Sequence, residues 1–182
     1  MSKLIGLTQL KNELQSLSKE ELISLFIDVA KSCPKAKEFL TAKFAGNGSV
    51  EEILEQCKAK IRNEFFPKRG MRPPTLSKAK KAISDFKSVS TDKTMAIDIM
   101  LFYVECNVEL GADIDMYETY YSSAESVYGQ VIKAVNAGGD SMYAKFADRL
   151  KRVCDMACQG WGHQDSMREI YSNLKWVDDD DG

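Results

Sequence analysis

The sequence predicts an all-α protein of about nine helices, packed as antiparallel helical hairpins in a compact bundle or a short α-α superhelix. Apolar residues recur at helical spacing along nearly the whole chain, and no strand pattern extends beyond about four residues. Capping residues precede most of the periodic segments. Most connections are only about two to six residues long, which makes consecutive helices antiparallel neighbours.

The composition is that of an ordinary globular protein. The 182 residues are 44% hydrophobic and 29% charged, with a net charge of −2. This balance excludes a disordered chain, a collagen and a disulfide-rich miniprotein. The chain has one histidine, His163, so mechanisms that need two histidines are excluded.

Neither a signal peptide nor a membrane-spanning segment is expected. The N-terminal apolar run is too short for a signal peptide, and no stretch approaches the roughly 20 apolar residues of a transmembrane helix. The five cysteines are odd in number and irregular in spacing, which favours reduced thiols. We therefore expect a cytoplasmic protein without membrane association.

Residues 1–66 predict four helices. The first has a stripe of leucines on one face, at Leu7, Leu10, Leu14 and Leu17. Ser18 and Glu21 match a capping box that begins the second helix, and Pro34 suits the first turn of the third. A second capping box, Ser49 with Glu52, predicts the start of the fourth helix. The fourth helix is expected to bury Ile53, Leu54, Cys57 and Ile61.

The segment 67–75, PKRGMRPPT, cannot lie inside a helix because it holds three prolines and a glycine. Pro73 and Pro74 predict an extended, stiff backbone. We therefore expect one cooperative unit in four parts. These are an N-terminal helical subdomain (1–66), a rigid proline-rich basic connector (67–76), a C-terminal helical subdomain (77–177) and an acidic tail (178–182).

Five helices are predicted after the connector. The first is expected to bury Ala79, Ala82, Ile83 and Phe86. The second begins at Ser90 or Thr91 and ends at Gly111. Because it is apolar almost all round from Met95 to Cys106, it is expected at the centre of the fold.

The last three helices are amphipathic. One apolar face consists of Tyr117, Tyr120, Tyr121, Ala124, Tyr128, Val131, Ile132 and Val135. The next consists of Phe146, Leu150, Val153, Cys154 and Ala157. The last consists of Met167, Ile170, Tyr171 and Leu174. Helical spacing makes core packing the default role of all three faces.

Positive charge is concentrated between Lys58 and Lys87. Only Glu64 and Asp85 oppose ten basic residues there, which gives +8 over 30 residues and leaves −10 for the rest of the chain. The ten are Lys58, Lys60, Arg62, Lys68, Arg69, Arg72, Lys78, Lys80, Lys81 and Lys87. Such a segment attracts phosphates or an acidic protein surface.

An anion site is one interpretation of this segment, because the start of a helix offers free backbone N–H groups near Ser77. The candidate residues are Lys68, Arg69, Arg72, Ser77, Lys78, Lys80 and Lys81. The alternative is a solvated basic face that pairs with acidic helices of the same chain. Phe65 and Phe66 either stack on bases or, as we favour, anchor the end of the fourth helix in the core.

Two further residue groups have both a chemical and a structural interpretation. Cys154, Cys158 and His163, with Asp165, are a weak metal-site candidate, but buried structural thiols are the favoured interpretation. His163 with Asp165 suits a general base and its orienting partner, whereas a packing role beside Trp161 is favoured.

Three carboxylates, Asp98, Glu105 and Glu109, share one face of the predicted central helix. Di-metal bundles also need Glu-x-x-His pairs, so this chain lacks their ligand set. Pairing of these carboxylates with Lys or Arg of a neighbouring helix is the favoured interpretation. The residues Tyr117, Tyr120 and Tyr121 are candidates for the lining of a ligand groove.

The segment Glu64–Gly70, EFFPKRG, is followed by Leu76–Ile83, LSKAKKAI. Together they resemble the FFP-basic-Gly turn and the Ser-x-Ala-Lys-Lys-Ala-Ile helix of an uncharacterised family of all-helical bacterial proteins. The opening segment Leu17–Ile23 is also similar. The resemblance implies an all-α fold and a cytoplasmic bacterial protein, and it implies no activity.

The expected role is a non-enzymatic helical scaffold that binds a protein partner. One alternative is a binder of nucleic acid or another polyanion through residues 58–87, and another is an enzyme centred on His163. No phosphate-binding loop, nucleophile elbow or dinucleotide fingerprint is present, so no cofactor is expected. The sequence leaves the oligomeric state open.

Overall fold

The computed structural model describes residues 5–44, 47–70, 72–114, 116–159 and 162–177. Within these ranges the chain forms nine α-helices and no strand, which confirms the all-α prediction. The helices are α1 (Leu7–Gln15), α2 (Lys19–Ser32), α3 (Pro34–Phe44), α4 (Asn47–Phe65), α5 (Leu76–Val89), α6 (Lys93–Asp113), α7 (Glu118–Gly138), α8 (Asp140–Met156) and α9 (His163–Ser172). The acidic tail 178–182, Trp161 and the side chain of Ser49 lie outside the described residues.

Helix α6 is the centre of the fold, as its all-round apolar sequence predicts. It packs against α4, α5, α7 and α8, and from α2 to α9 each helix also packs against the next one. Its buried residues face in every direction around the helix axis: Ile97, Ile99, Met100, Leu101, Tyr103, Val104, Cys106, Asn107 and Val108. Among the described residues, no helix combines the length and the apolarity that crossing a membrane requires.

Both predicted ends of α6 were wrong. The cap is Asp92, whose side chain accepts a hydrogen bond from the Met95 N–H at 2.9 Å, rather than Ser90 or Thr91. The helix also continues through Gly111 to Asp113. A Cβ atom at Gly111 would lie 3.0 Å from the Met116 methyl carbon, so glycine permits close packing here rather than ending the helix.

Helix α4 also starts two residues earlier than the Ser49–Glu52 pattern predicts, at Asn47. Helix ends are the least certain part of any sequence-based prediction, because several neighbouring polar residues can begin the first turn. The predicted capping box of α2 is confirmed. The Ser18 hydroxyl accepts from the Glu21 N–H at 3.2 Å, and the Glu21 carboxylate accepts from the Ser18 N–H at 2.8 Å.

One hydrophobic core extends across the proline connector. Helix α4 contributes the four residues that its spacing predicts, and they join the buried residues of α5 to α9 in a single cluster. Helices α1 and α2, in contrast, contain no buried residue. The division into two subdomains that unfold as one cooperative unit stays a prediction.

Two buried tyrosines have their hydroxyls paired inside the core. The Tyr103 and Ser123 hydroxyls lie 2.6 Å apart, and they join α6 to α7. The Tyr128 hydroxyl donates to the Leu150 carbonyl at 2.9 Å and joins α7 to α8. Burial raises the pKa of both tyrosines, so both stay protonated at neutral pH.

We expect Tyr103→Phe to destabilise the fold by about 1–2 kcal/mol, because it leaves the buried Ser123 hydroxyl without its partner. Denaturant unfolding measures this as a change in the free energy of unfolding. The matched control is Tyr143→Phe, since Tyr143 is half-buried and stacks on Trp176 through its ring. An equal loss in both variants would contradict a specific role for the Tyr103–Ser123 bond.

Candidate functional site

An open apolar groove with a volume of about 510 Å³ lies beside the proline connector. One wall comes from the end of α4 and the connector, and the other from the end of α6 and the start of α7. We call it the connector groove. Its lining includes the side chains of Phe66, Pro67, Arg72, Ile114, Tyr117 and Tyr120.

The end of α4 is fixed by Phe65, which is only 2% exposed. Its ring meets Tyr103 edge-on, with ring centroids 5.5 Å apart, so its predicted role as a core anchor is confirmed. The next ring, Phe66, is half-buried and lies under the Arg62 guanidinium, 4.1 Å from the ring centroid. These contacts do not favour base stacking by either ring.

The opposite wall is held to the connector by a hydrogen bond. The Tyr120 hydroxyl donates to the Pro74 carbonyl at 3.1 Å. Tyr117 lines the same groove but is 77% exposed, so its default assignment to the core was wrong. Helix α7 begins at Glu118, and Tyr117 therefore lies just before the buried face rather than on it.

The third tyrosine of the candidate set does not line the groove. Tyr121 is buried, and its hydroxyl accepts from the Met116 N–H at 3.3 Å. Sequence analysis also missed Ile114, a groove residue that is 45% exposed. The sequence does indicate that Ile114 is exposed, because this residue stands between two aspartates at the end of an apolar helix.

The structure divides the candidate anion-binding residues into two groups. Arg72 pairs with Glu64 at 2.8 Å, and Lys81 pairs with Asp85 at 3.4 Å. Ser77 lies exposed in the first turn of α5. The other candidates are exposed and have no ion-pair partner among the described residues; they are Lys68, Arg69, Lys78 and Lys80.

The Arg72–Glu64 pair lies at the groove wall. Hydrogen bonding and charge from Arg72 hold the pKa of Glu64 below its ordinary value, although burial opposes this. Arg72 uses only its Nη1 atom in this contact, with a second, longer bond from that atom to the Thr75 hydroxyl at 3.4 Å. The pair therefore stays ionised, and it engages only the Nη1 atom of the guanidinium.

The carboxylates on the face of α6 are paired with cations of neighbouring helices, as favoured from the sequence. Asp98 accepts from Lys58 of α4 at 2.7 Å and from Arg149 of α8 at 2.6 Å. Arg149 also holds both Glu105 oxygens, at 2.7 and 2.9 Å. Glu109 pairs in the same two-pronged way with Arg62 of α4.

This network determines the protonation of its members. Burial by itself would raise the pKa of Asp98, but hydrogen bonds from Lys58 and Arg149 outweigh it and hold that pKa below its ordinary value. Burial by itself would lower the pKa of Arg149, but hydrogen bonds to Glu105 and Asp98 outweigh it and hold that pKa above its ordinary value. Asp98 and Arg149 are therefore charged at neutral pH, and the network acts as structural charge pairing.

His163 is packed inside the protein. It is 1% exposed, its Nδ1 lies 2.7 Å from a Glu125 oxygen, and its ring stacks on Tyr121 at 4.7 Å between centroids. Its Nε2 atom is buried without a hydrogen-bond partner in the described part of the chain. Glu125, rather than the predicted Asp165, is the carboxylate at this ring, and burial this deep does not favour contact with a substrate.

Three of the five cysteines, Cys57, Cys106 and Cys154, are buried, whereas Cys33 is exposed. Burial raises the pKa of Cys154, and it raises the pKa of Cys106 to about 11. Cys158 is half-buried. Within the described residues, no three His, Cys, Asp or Glu side chains converge closely enough to hold a metal ion, so Cys154, Cys158 and His163 do not form such a set.

The family comparison covers almost the whole chain. Residues 1–175 match the model of a family of unknown function, DUF6155. The chain belongs to this family. The match includes the groove, the connector and all nine described helices, and the sequence-based resemblance to an uncharacterised family is confirmed. No curated protein and no solved structure matches the chain.

We expect Asp98→Asn to lower the free energy of unfolding at pH 7 by about 1–3 kcal/mol, because it removes a charge that two cations share. Since the folded-state pKa of Asp98 is below its ordinary 3.8, its contribution is complete above pH 3.8 and is lost as the pH falls through the folded value. Denaturant unfolding at several pH values measures the difference between variant and wild type.

The matched control for this prediction is Asp28→Asn, in an exposed pair with Lys31 at 3.5 Å. An exposed pair contributes little, so we expect a change within about 0.5 kcal/mol. A loss for Asp98→Asn that stays constant from pH 7 to pH 3 would contradict the assigned role of the ionised carboxylate.

Proposed function

We propose that this protein is a non-enzymatic helical interaction protein that assembles through its N-terminal helices, α1 to α3. The observation that supports this is the distribution of exposed apolar side chains. Of the 13 large ones exposed in the described part of the chain, ten lie within residues 5–44. They are Ile5, Leu7, Leu10, Ile23, Leu25, Phe26, Ile27, Val29, Phe39 and Phe44.

The exposed area is large enough for a stable interface. At roughly 200 Å² for a large apolar side chain, ten of them at about half exposure present on the order of 1,000 Å². A standard protein interface buries about 800 Å² on each partner.

The partner that this surface favours is a second copy of the chain. Residues 5–44 contain six lysines and five acidic residues, so their charges nearly cancel and do not favour a strongly charged partner. Nearly equal numbers of positive and negative charges suit the self-complementary contact of a two-fold dimer. Two-fold homodimers are also the commonest soluble assemblies.

We expect the wild-type chain to sediment as a dimer at micromolar concentration, with little change on adding about 0.5 M salt, because apolar contacts are not screened. The double variant Ile23→Asp/Phe26→Asp should be monomeric, since both side chains are more than half exposed and contribute to the proposed interface. Analytical ultracentrifugation measures both states, and thermal unfolding checks that the variant is folded.

The matched control is Met156→Asp, which places the same charge at an exposed apolar side chain of α8, 46% exposed. It should remain dimeric. A wild-type chain that is monomeric at all concentrations would refute assembly through α1 to α3, as would equal dissociation of the control.

A second candidate function is the binding of nucleic acid or another polyanion. It is favoured by four exposed cations of the connector and the start of α5 that lack an ion-pair partner among the described residues: Lys68, Arg69, Lys78 and Lys80. Internal pairing of Arg72 and Lys81 reduces the charge available for this role. Lys68 and Arg69 lie in the connector, and Lys78 and Lys80 lie in the first turns of α5, so a nucleic-acid backbone that follows this segment can contact them.

We expect a fluorescent DNA duplex to bind with an affinity that falls steeply as salt rises. Lys68→Ala/Arg69→Ala should reduce the slope of log affinity against log salt by about 2, at about 0.9 per phosphate contact. The control Lys133→Ala/Lys145→Ala changes two exposed lysines of α7 and α8. Equal slopes for both double variants would argue against a site at the connector.

A further inference from the structure

We propose that the connector groove binds a small organic carboxylate whose apolar body fills the groove and whose charged end meets Arg72. This inference is independent of assembly through α1 to α3. It also differs from polyanion binding, because it requires an apolar body as well as a negative charge.

The size and lining of the groove support the apolar part of this ligand. Its volume of about 510 Å³ falls in the range of about 300–1,000 Å³ that small-molecule sites occupy. At roughly 30 Å³ for a water-sized group, this is space for about 17 such groups. Ile114 and Tyr117 leave apolar surface uncovered there, 45% and 77% exposed.

Arg72 supports the charged part of the ligand. It is the only charged residue among those that line the groove in the described chain. Its contact with Glu64 uses Nη1, which leaves the Nε and Nη2 donors of the guanidinium for a second carboxylate. The same protein shows that one arginine can hold two carboxylates, since Arg149 binds Asp98 through Nη1 and Glu105 through Nε and Nη2.

The charges around the groove determine the orientation of the bound ligand. Lys68 and Arg69 lie between Pro67 and Gly70, two residues of the connector wall, and both cations are exposed. Asp113 and Glu118 flank the opposite wall and are also exposed. A carboxylate is therefore favoured at the connector end and repelled at the other, so the apolar body extends toward Ile114 and Tyr117.

Both walls of the groove are held in place without a ligand. Phe65 is anchored against Tyr103, and Tyr120 is bonded to the Pro74 carbonyl. Proline also limits the backbone freedom of the connector. A ligand then loses little free energy to the ordering of the site, which is the condition for useful affinity with few polar contacts.

The test is isothermal titration calorimetry, in which sodium dodecanoate is added to the full chain below its critical micelle concentration. Dodecyltrimethylammonium, with the same apolar chain and a positive head, is the matched probe. We expect one dodecanoate for each chain and an affinity at least tenfold higher than for the cationic probe. Equal affinity for both probes, or no binding of dodecanoate, would overturn the proposal.

Variants locate the site. Tyr117→Asp should weaken dodecanoate binding at least tenfold, and it should leave folding intact because Tyr117 is 77% exposed. Arg72→Met/Glu64→Gln removes the ion pair without leaving an unpaired charge, and it should abolish the preference for dodecanoate over the cationic probe. If this double variant does not fold, Arg72→Lys replaces it, with a weakened preference expected because lysine lacks the second pair of donors.

Two controls complete the design. Met156→Asp and Ile23→Asp/Phe26→Asp should both bind dodecanoate like the wild type, because neither change touches the connector groove. Loss of binding in the second of these would place the ligand on α1 to α3 and would overturn the proposal, whatever the oligomeric state.

Discussion

Helix α6 is buried on nearly every side, and this burial governs how the other helices pack around it. A helix in this position cannot leave charged side chains unpaired, because a half-buried charge without a partner is costly. Lys58 of α4 and Arg149 of α8 neutralise Asp98, and Arg149 also holds Glu105. These contacts fix α4 and α8 against α6, since a shift along the helix axis would separate the charges.

The connector groove is a consequence of how α4 ends. Phe65 is anchored against α6, and the prolines that follow cannot continue the helix. The chain therefore crosses the surface in an extended form before α5 begins at Leu76. Tyr120 binds this extended segment, but no helix among the described residues covers the apolar surface between them. A stiff segment between two packed helices thus leaves a shaped concavity where a continuous helix would have filled the space.

Helices α1 to α3 differ from the rest of the chain in the exposure of their apolar side chains. From α4 onward, the apolar stripes converge in one core. In α1 to α3 the same kind of stripe is left largely open to solvent, although the Ser18–Glu21 capping box and Pro34 make these helices locally well specified. Helical propensity and capping form the segment, and burial inside this chain does not explain its leucines and phenylalanines. That imbalance favours a role in contact with another surface.

Local sequence patterns predict about nine helices, the buried stripes of α4 and α5, and the central place of α6, because periodicity and capping depend on residues a few positions apart. The proline-rich connector is predicted for the same reason, from residues that are close together in the sequence. The tertiary structure, in contrast, sets which charges are free, since the pairing of Lys58 with Asp98 depends on how α4 packs against α6. It also decided that Tyr117 borders a groove instead of joining the core, because the cover of a helical face depends on which distant helix packs against it.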